Sequence, residues 1–230
     1  MSIIREELVR AAYYRAPASI DYNIHNNIHK QYEFMQQTIL ADESLTEDEK
    51  TEVIRRLNKD YDRYKVLKNE GTKRICENCN QECLATTCCE LCVRNYLKAN
   101  FSNWTSGNDD IDNLIQTCQM NTLETGGIVE WIPYDNLRNI KYLTEGGFSK
   151  IYTADLVMGC YWEWNSERQQ LIRVGVQLVI LKRLENVENA NQSWLEEVRN
   201  LKVFQMNILS FYLQFTNFIF LGQITFKNKQ

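Results

Sequence analysis

The sequence predicts an α+β fold: a helical amino-terminal region, a small zinc module with four cysteine ligands, and then an antiparallel sheet with one helix. Three observations predict it. Apolar residues recur every three or four positions early in the chain, two Cys-x-x-C pairs follow, and short β-rich runs separated by glycine turns come last. We therefore divide the 230 residues into a helical hairpin region, a cysteine module, a helical linker and a sheet region: 1–70, 71–104, 105–139 and 140–230.

The amino-terminal region has the periodicity and the end signals of helices. Residues 3–15 carry apolar side chains at helical spacing, and Pro17 is expected to end that helix. A second helix is predicted over about 26–40. A third starts at the capping-box pattern Thr46–Glu49, and Gly71 is expected to stop it. The apolar stripe of this hairpin favours a core seam, although such seams also bind protein partners, so we keep it as the candidate protein-binding surface.

The clearest chemical motif is a pair of Cys-x-x-C sequences with nine residues between them. Each pair forms a tight turn that presents two thiolates to one point, and two such pairs can close around a single ion. In a reducing compartment cysteines serve as metal ligands or free thiols rather than disulfides, and tetrahedral zinc is the natural occupant of this ligand set. The sequence therefore predicts a zinc-binding module with four ligands: Cys76, Cys79, Cys89 and Cys92.

Two further cysteines, Cys83 and Cys88, are surplus to a four-ligand site. Because Cys88 adjoins Cys89, exchange of these two as ligands stays open from the sequence. The alternative for the whole cluster is a set of buried free thiols or one redox pair. A closed site with four protein ligands would stabilise a segment too short to form its own core, which indicates a scaffolding or recognition role.

Charge and composition restrict the partners. The net charge of −4 lacks the basic footprint of a nucleic-acid-binding protein. The basic and aromatic residues from Arg94 to Trp104 keep a nucleic-acid-binding zinc module as a minor alternative, but packing against the zinc loop is favoured. The charged amino terminus lacks the apolar core of a secretory signal, so we expect an intracellular, by default cytoplasmic, protein. Polar residues interrupt the uncharged run 203–226, and no membrane span is predicted.

The stretch from Thr144 to Ala154 contains a glycine turn that leads into a β-rich run. The adjacent Gly146 and Gly147 would let backbone N–H groups approach a polyphosphate closely. A later strand carries Lys182, which would supply positive charge to phosphates. Glu197, fifteen positions further on a predicted helix, would hold that lysine by a charge-assisted hydrogen bond.

In these features the chain resembles the amino-terminal lobe of a protein kinase. The family pattern G-x-G-x-x-G-x-V maps onto four positions, of which only Gly146 keeps a glycine: Thr144, Gly146, Ser149 and Ile151, with Gly147 and Phe148 between them. Lys182 maps onto the strand lysine, and Glu197, or its neighbour Glu196, maps onto the helix glutamate. The stretch from Cys76 to Glu197 also resembles the kinase-like families expanded in root-symbiotic fungi, in which a cysteine cluster precedes the kinase domain.

The resemblance implies that residues 140–230 are a partial kinase amino-terminal lobe that binds ATP. The implied ATP-binding residues are Gly146, Gly147, Phe148, Ser149, Ile151, Lys182 and Glu197. Neither the catalytic-loop aspartate nor the magnesium-binding Asp-Phe-Gly sequence follows Glu197, so we assign no catalytic residue and expect weak ATP binding without phosphotransfer by this chain. The alternative is a zinc-containing interaction protein that uses the lobe as a scaffold.

Two further elements are predicted between these motifs. Asn108 can cap a helix that continues to about Met120 in the linker. The strands of the lobe are separated by an insertion, Asp155 to Gln177, whose aromatic and β-branched residues flank Asn165 and Ser166. That pattern predicts an extended two-stranded ribbon.

Overall fold

The computed structural model describes residues 4–146 and 149–184. Within them the protein is an α+β structure with five α-helices and three small antiparallel sheets, so the predicted fold class is confirmed at this level. The chain divides into two compact units, Met1–Val93 and Arg94–Gln230. Each unit is described in turn.

The first unit begins with three helices: α1 (Glu6–Ala18), α2 (Ile28–Leu40) and α3 (Glu47–Lys68). Their apolar faces form one core, because each helix repeats apolar side chains every three or four residues. The core residues are Val9, Ala12, Ala16, Ile39, Leu45, Val53 and Leu57. The predicted hairpin of the second and third helices is therefore confirmed, and α1 packs against both of them.

Helix α1 does not end where the sequence predicted, because it continues through Pro17 to Ala18. Proline removes one helical hydrogen bond and its ring crowds the preceding turn. Here the helix ends one residue later, so little helix remains beyond the proline to be disrupted. The backbone N–H groups of Ser19 and Ile20 then close the end by donating to the carbonyls of Ala16 and Pro17, both at 3.3 Å.

Helix α3 starts with the predicted capping box. The Thr46 hydroxyl accepts from the backbone N–H of Glu49 at 3.3 Å, and the Glu49 carboxylate accepts from the backbone N–H of Thr46 at 2.9 Å. The other end differs from the expectation, because Asn69 and not Gly71 adopts the left-handed conformation at the helix end, with φ of 54°. Asparagine is the residue besides glycine that most readily serves there.

The buried Glu49 also joins the starts of α1 and α3. Its carboxylate accepts from the backbone N–H of Arg5 at 3.0 Å and from the Arg5 guanidinium at 2.7 Å. The hydrogen bonds from the Arg5 side chain and from the Thr46 and Arg5 backbones hold the pKa of Glu49 well below its usual range. The carboxylate therefore remains charged where α1 enters the bundle.

The cysteine module follows α3. Strand β1 (Arg74–Ile75) pairs antiparallel with β2 (Glu82–Cys83), and helix α4 (Glu90–Ala99) comes next. The boundary between the two units falls within α4, after Val93. Two-residue strands have too few backbone hydrogen bonds to be stable alone, so this module needs other interactions to hold its shape.

The second unit contains helix α5 (Asp109–Met120) and two sheets. The Asn108 side chain accepts from the backbone N–H groups of Asp110 and Ile111, which confirms the predicted cap. One sheet has the order β3-β4-β7, made of three antiparallel strands: Leu137–Gly146, Ser149–Leu156 and Gln177–Leu184. Its core residues are Ile132, Ala154, Leu156, Val179 and Leu181.

The insertion between β4 and β7 forms the predicted two-stranded ribbon. Strand β5 (Tyr161–Asn165) pairs antiparallel with β6 (Gln170–Arg173). The buried Trp164 and Leu171 lie directly opposite each other, so the ribbon has one apolar face. No helix among residues 4–146 and 149–184 is long and apolar enough to cross a bilayer, and the uncharged run 203–226 lies outside the described residues.

Removal of the capping hydroxyl tests the role of Thr46. We expect Thr46→Ala to lower the free energy of unfolding by about 1 kcal/mol, because one backbone N–H at the start of α3 loses its acceptor. Urea unfolding followed by circular dichroism measures this difference. Thr51→Ala is the matched control, since the Thr51 hydroxyl only donates back to the Glu47 carbonyl within the same helix. Equal losses in the two variants would contradict a special role for the cap.

Candidate metal centre

The first cysteine pair lies in the turn between β1 and β2. The backbone N–H of Cys76 donates to the Gln81 carbonyl, and the backbone N–H of Asn80 donates to the Cys76 carbonyl, both at 2.9 Å. Asn80 has φ of 53°, a left-handed conformation that asparagine tolerates. This compact turn brings the side chains of Cys76 and Cys79 to one side.

The second pair lies at the start of helix α4. The Cys89 carbonyl accepts the backbone N–H of Val93 at 3.1 Å, so Cys89 immediately precedes the helix and Cys92 lies in its first turn. The backbone N–H groups of the first turn and the positive end of the helix dipole favour negative charge at this position. The start of the helix therefore acts in favour of thiolates at this pair, in opposition to the effect of burial.

The four predicted ligand sulfurs come together at one point. All four Sγ atoms lie within 4.8 Å of one another. The Cys76 and Cys92 sulfurs are 3.7 Å apart, and so are those of Cys79 and Cys89. Four sulfurs placed about 2.3 Å from a central zinc in a tetrahedron would be about 3.8 Å apart. The four cysteines can therefore hold one metal ion, and their spacing fits zinc.

The electrostatic environment differs between the sulfurs. The backbone N–H groups of Cys79 and Asn78 donate to the Cys76 sulfur and lower the pKa of Cys76 to about 6, against the opposing effect of burial. Burial raises the pKa of Cys89 and Cys92 above the usual thiol value. A bound cation would supply the positive charge that these two buried thiolates need. The Asn78 amide also donates to the Cys92 sulfur, at 3.4 Å.

Neither surplus cysteine belongs to the four-sulfur group, but Cys83 lies beside it. Cys88 is not part of that group although it adjoins Cys89, and burial raises the pKa of Cys88 to about 12. The buried Cys83 lies within 4.8 Å of Cys89 and a Glu90 oxygen. Both carboxylate oxygens of Glu90 accept hydrogen bonds from the backbone, one from the N–H of Leu84 at 2.8 Å and the other from the N–H of Ala85 at 3.3 Å.

Two buried side chains of helix α3, Asp62 and Lys65, hold residues 84–87, which form the loop that precedes the second cysteine pair. Asp62 accepts from the Thr86 hydroxyl at 2.9 Å, and from the backbone N–H and the hydroxyl of Thr87 at 2.7 Å each. The ammonium of Lys65 donates to the Leu84 carbonyl at 2.8 Å. The loop is therefore attached to the helical bundle immediately before Cys89.

Asp62 and Lys65 also pair with each other. The Lys65 Nζ lies 2.8 Å from the Asp62 Oδ1, and both side chains are buried, with exposed fractions of 5% for Asp62 and 4% for Lys65. Burial acts to raise the pKa of Asp62, but hydrogen bonds from Lys65 and Thr87 lower it below the usual value. Removal of one partner of a buried ion pair costs about 3–5 kcal/mol, because the remaining charge is left without compensation.

Sequence analysis missed this pair. A signal was present, since Lys65 follows Val53, Leu57 and Tyr61 at intervals of four residues and so lies on the apolar stripe of α3. A lysine at a core position is rarely buried without a partner. Asp62 lies three positions before Lys65 on the same helix, a spacing at which opposite charges pair. The Leu84 carbonyl lies nineteen positions away, and no spacing pattern indicates that contact.

The structure places part of the predicted nucleotide site in one sheet. Gly146 and Ser149 are Cα partners at the end of the β3–β4 hairpin, and Ile151 on β4 is the Cα partner of Lys182 on β7. Gly147 and Phe148 lie outside the described residues. The two candidate glutamates, Glu196 and Glu197, also lie outside them.

The basic and aromatic residues that follow the cysteines make internal contacts. The Arg94 guanidinium donates to the Thr122 carbonyl at 2.9 Å. The Tyr96 ring packs edge to face against Trp164, with centroids 5.8 Å apart. Phe101 and Trp104 form a second edge-to-face pair. These side chains thus contribute to the packing of the second unit.

Comparison of the chain with models of protein families, with curated proteins and with solved structures gives no match. No family is therefore assigned to it.

Substitution of single cysteines tests the ligand set. We expect purified wild-type protein to contain one zinc per chain under reducing conditions, and Cys79→Ser or Cys92→Ser to lose most of it, because each removes one of four thiolates. Cys88→Ser is the matched control, since it changes a neighbouring thiol outside the four-sulfur group and should keep one zinc. Metal analysis measures the content, and loss of zinc from Cys88→Ser alone would contradict this ligand set.

Proposed function

We propose that this chain is a zinc protein whose four-cysteine centre has a structural role. The observation that carries the proposal is the convergence of four sulfurs on one point, with 3.7 Å separations that suit a tetrahedral ion. All four positions of such a site are filled by the protein. A closed site leaves no position for a substrate, so it serves stability and scaffolding rather than catalysis.

The elements around the centre support a structural role. Strands β1 and β2 have two residues each, and their hydrogen bonds are too few for independent stability. A structural zinc can contribute about 10–16 kcal/mol of apparent binding free energy in small zinc modules. The metal would thus supply the interactions that the hairpin lacks, and it would fix α4 to the turn that carries Cys76 and Cys79.

Removal of the metal tests the structural role. We expect a strong chelator to abolish the order of the two cysteine turns, because four closely spaced thiols lose the ion that holds them together. Hydrogen exchange should then accelerate at the backbone N–H groups of Cys76, Asn80 and Val93, which close those turns. Those of α2 should change little, because α2 packs against α1 and α3.

The exchange pattern has a defined contrary outcome. If the Asn80 and Val93 N–H groups stay equally protected after complete zinc removal, the centre does not stabilise the module and the structural role is wrong. Restoration of protection by added zinc, but not by magnesium, is the expected companion result, since thiolates prefer zinc to hard cations.

A second candidate function is favoured by the strand register of the second unit. We propose that the sheet β3-β4-β7 is the phosphate-binding part of a protein-kinase-type amino-terminal lobe. Two facts support it: a hairpin closes at Gly146 and Ser149, and the strand bearing Lys182 lies beside the strand that leaves that hairpin. A phosphate seated at the turn would then have a cation on the neighbouring strand, and the resemblance to protein kinases assigns the orientation of that cation to Glu197.

Titration with ATP by calorimetry tests the lobe. We expect a dissociation constant near the millimolar range, where about 4 kcal/mol is supplied, because this proposal assigns to the sheet only contacts with phosphates. Lys182→Met and Glu197→Gln should both weaken binding, since each removes part of the charge-assisted contact. Lys141→Met is the control, because it removes an exposed lysine of β3 away from the turn. An absence of binding at several millimolar ATP, or equal weakening by Lys141→Met, would reject the lobe.

A further inference from the structure

We propose that Asp62 and Lys65 are positioning residues of the metal centre: they set its zinc affinity from helix α3 without contacting the metal. This inference rests on the structural zinc centre proposed above. It assigns to α3 a role in the site besides its role in the helical core.

The two cysteine pairs are connected by a segment that contains β2 and loop 84–87. Nine residues separate Cys79 from Cys89, so the two halves of the site are joined by a loop long enough to take many conformations. If that loop were free, each binding event would have to order it, and the lost conformational entropy would weaken the site. A loop that is held in advance does not impose this loss when the ion binds.

The loop is held by charged side chains rather than by regular secondary structure. The Leu84 carbonyl accepts a hydrogen bond from the Lys65 ammonium, and the Ala85 carbonyl accepts one from the Arg74 Nε, both at 2.8 Å. The backbone N–H groups of Leu84 and Ala85 donate to Glu90. Both residues are buried, so their polar backbone groups depend on these partners.

Asp62 controls the end of the loop nearest to the second cysteine pair. Its carboxylate accepts a hydrogen bond from the backbone N–H of Thr87, which lies two residues before Cys89. The hydroxyls of Thr86 and Thr87 donate to the same carboxylate. Asp62 therefore fixes the position of the backbone just before Cys89, and Lys65 fixes the position of the backbone at Leu84.

Arg74 and Glu90 belong to the cysteine module itself, whereas Asp62 and Lys65 come from the helical bundle. The pair also keeps its geometry through its own ion pair and through the packing of Lys65 over the Tyr61 ring, 4.9 Å from its centroid. The helical core thus keeps Asp62 and Lys65 in place, and these two side chains in turn hold loop 84–87 of the cysteine module. By thermodynamic reciprocity, zinc binding should stabilise this end of α3 to the same extent.

The test measures zinc affinity by competition with a chromophoric chelator, for full-length protein and its variants. Asp62→Asn keeps the shape of the side chain but removes the charge that three donors and Lys65 share. Lys65→Met keeps most of the apolar stem and removes the ammonium. Loss of a group that orients metal ligands from outside the coordination sphere typically weakens binding about 10- to 100-fold, and we expect a change of that size in both variants.

Leu57→Ala is the control for general destabilisation. Leu57 is buried in the same helix and belongs to the helical core, and its apolar side chain cannot hydrogen-bond to loop 84–87. We expect Leu57→Ala to lower the unfolding temperature while zinc affinity stays within about twofold of wild type, because additivity holds for sites that share no partners. If it weakens zinc binding as much as Asp62→Asn does, the effect is general stability and the proposal is overturned.

Thr87→Val gives a second variant in case Asp62→Asn does not fold. It leaves both charges and the backbone N–H in place and removes one hydroxyl donor to Asp62. We expect about 2- to 10-fold weaker zinc binding, as for loss of one ordinary hydrogen bond, because two other donors and Lys65 still hold Asp62. The cobalt-loaded protein provides a readout of geometry, because the thiolate-to-cobalt absorption should keep its intensity but shift if loop 84–87 positions Cys89.

The outcomes separate the two proposals. If wild type binds one zinc and the Asp62, Lys65 and Thr87 variants match its affinity, this inference is overturned while the structural zinc centre stands. If wild type binds no zinc, both fail. Selective weakening in those three variants, with Leu57→Ala unchanged, supports the inference.

Discussion

The buried ion pair of Asp62 and Lys65 is the constraint on which the first unit depends. It lies on α3, between a helical core that apolar burial can stabilise and a cysteine module whose buried residues include four cysteines. Each charge is compensated twice, once by its partner and once by the backbone or hydroxyl groups of loop 84–87. Burial of charge is tolerated only with such complete pairing. The pair is therefore satisfied only when helix and loop are in place together.

The metal centre follows from the same principle of compensation. Three of its four cysteines are buried and Cys79 is partly buried, and burial disfavours thiolates unless positive charge is supplied. Backbone N–H groups supply part of it to Cys76, the start of α4 supplies part to Cys89 and Cys92, and a divalent cation would supply the rest. The site thus combines weak, fixed dipoles with one strong charge. At Cys88, the neighbour of a ligand, burial dominates instead and raises the thiol pKa to about 12.

Much of the local structure was predictable because it depends on neighbouring residues. The Thr46 and Asn108 caps, the β5–β6 ribbon and the four-cysteine group were all indicated by spacing within short segments. The errors have local causes too. Pro17 lies in the last turn of α1, where a proline disrupts little helix, and Asn69 ends α3 two residues before Gly71 because asparagine also tolerates the left-handed conformation.

The sequence by itself determined the α+β class, the helices and the group of four cysteines that could hold a metal ion, because periodicity, caps and Cys-x-x-C spacing are properties of short segments. Only the tertiary structure decided that Cys88 stays out of the site, that Glu90 binds backbone N–H groups, and that Asp62 and Lys65 hold loop 84–87. Those facts depend on contacts between residues five to twenty-five positions apart. Such contacts form when buried polar groups find partners in the folded chain, and no pattern along the sequence specifies which partner each will find.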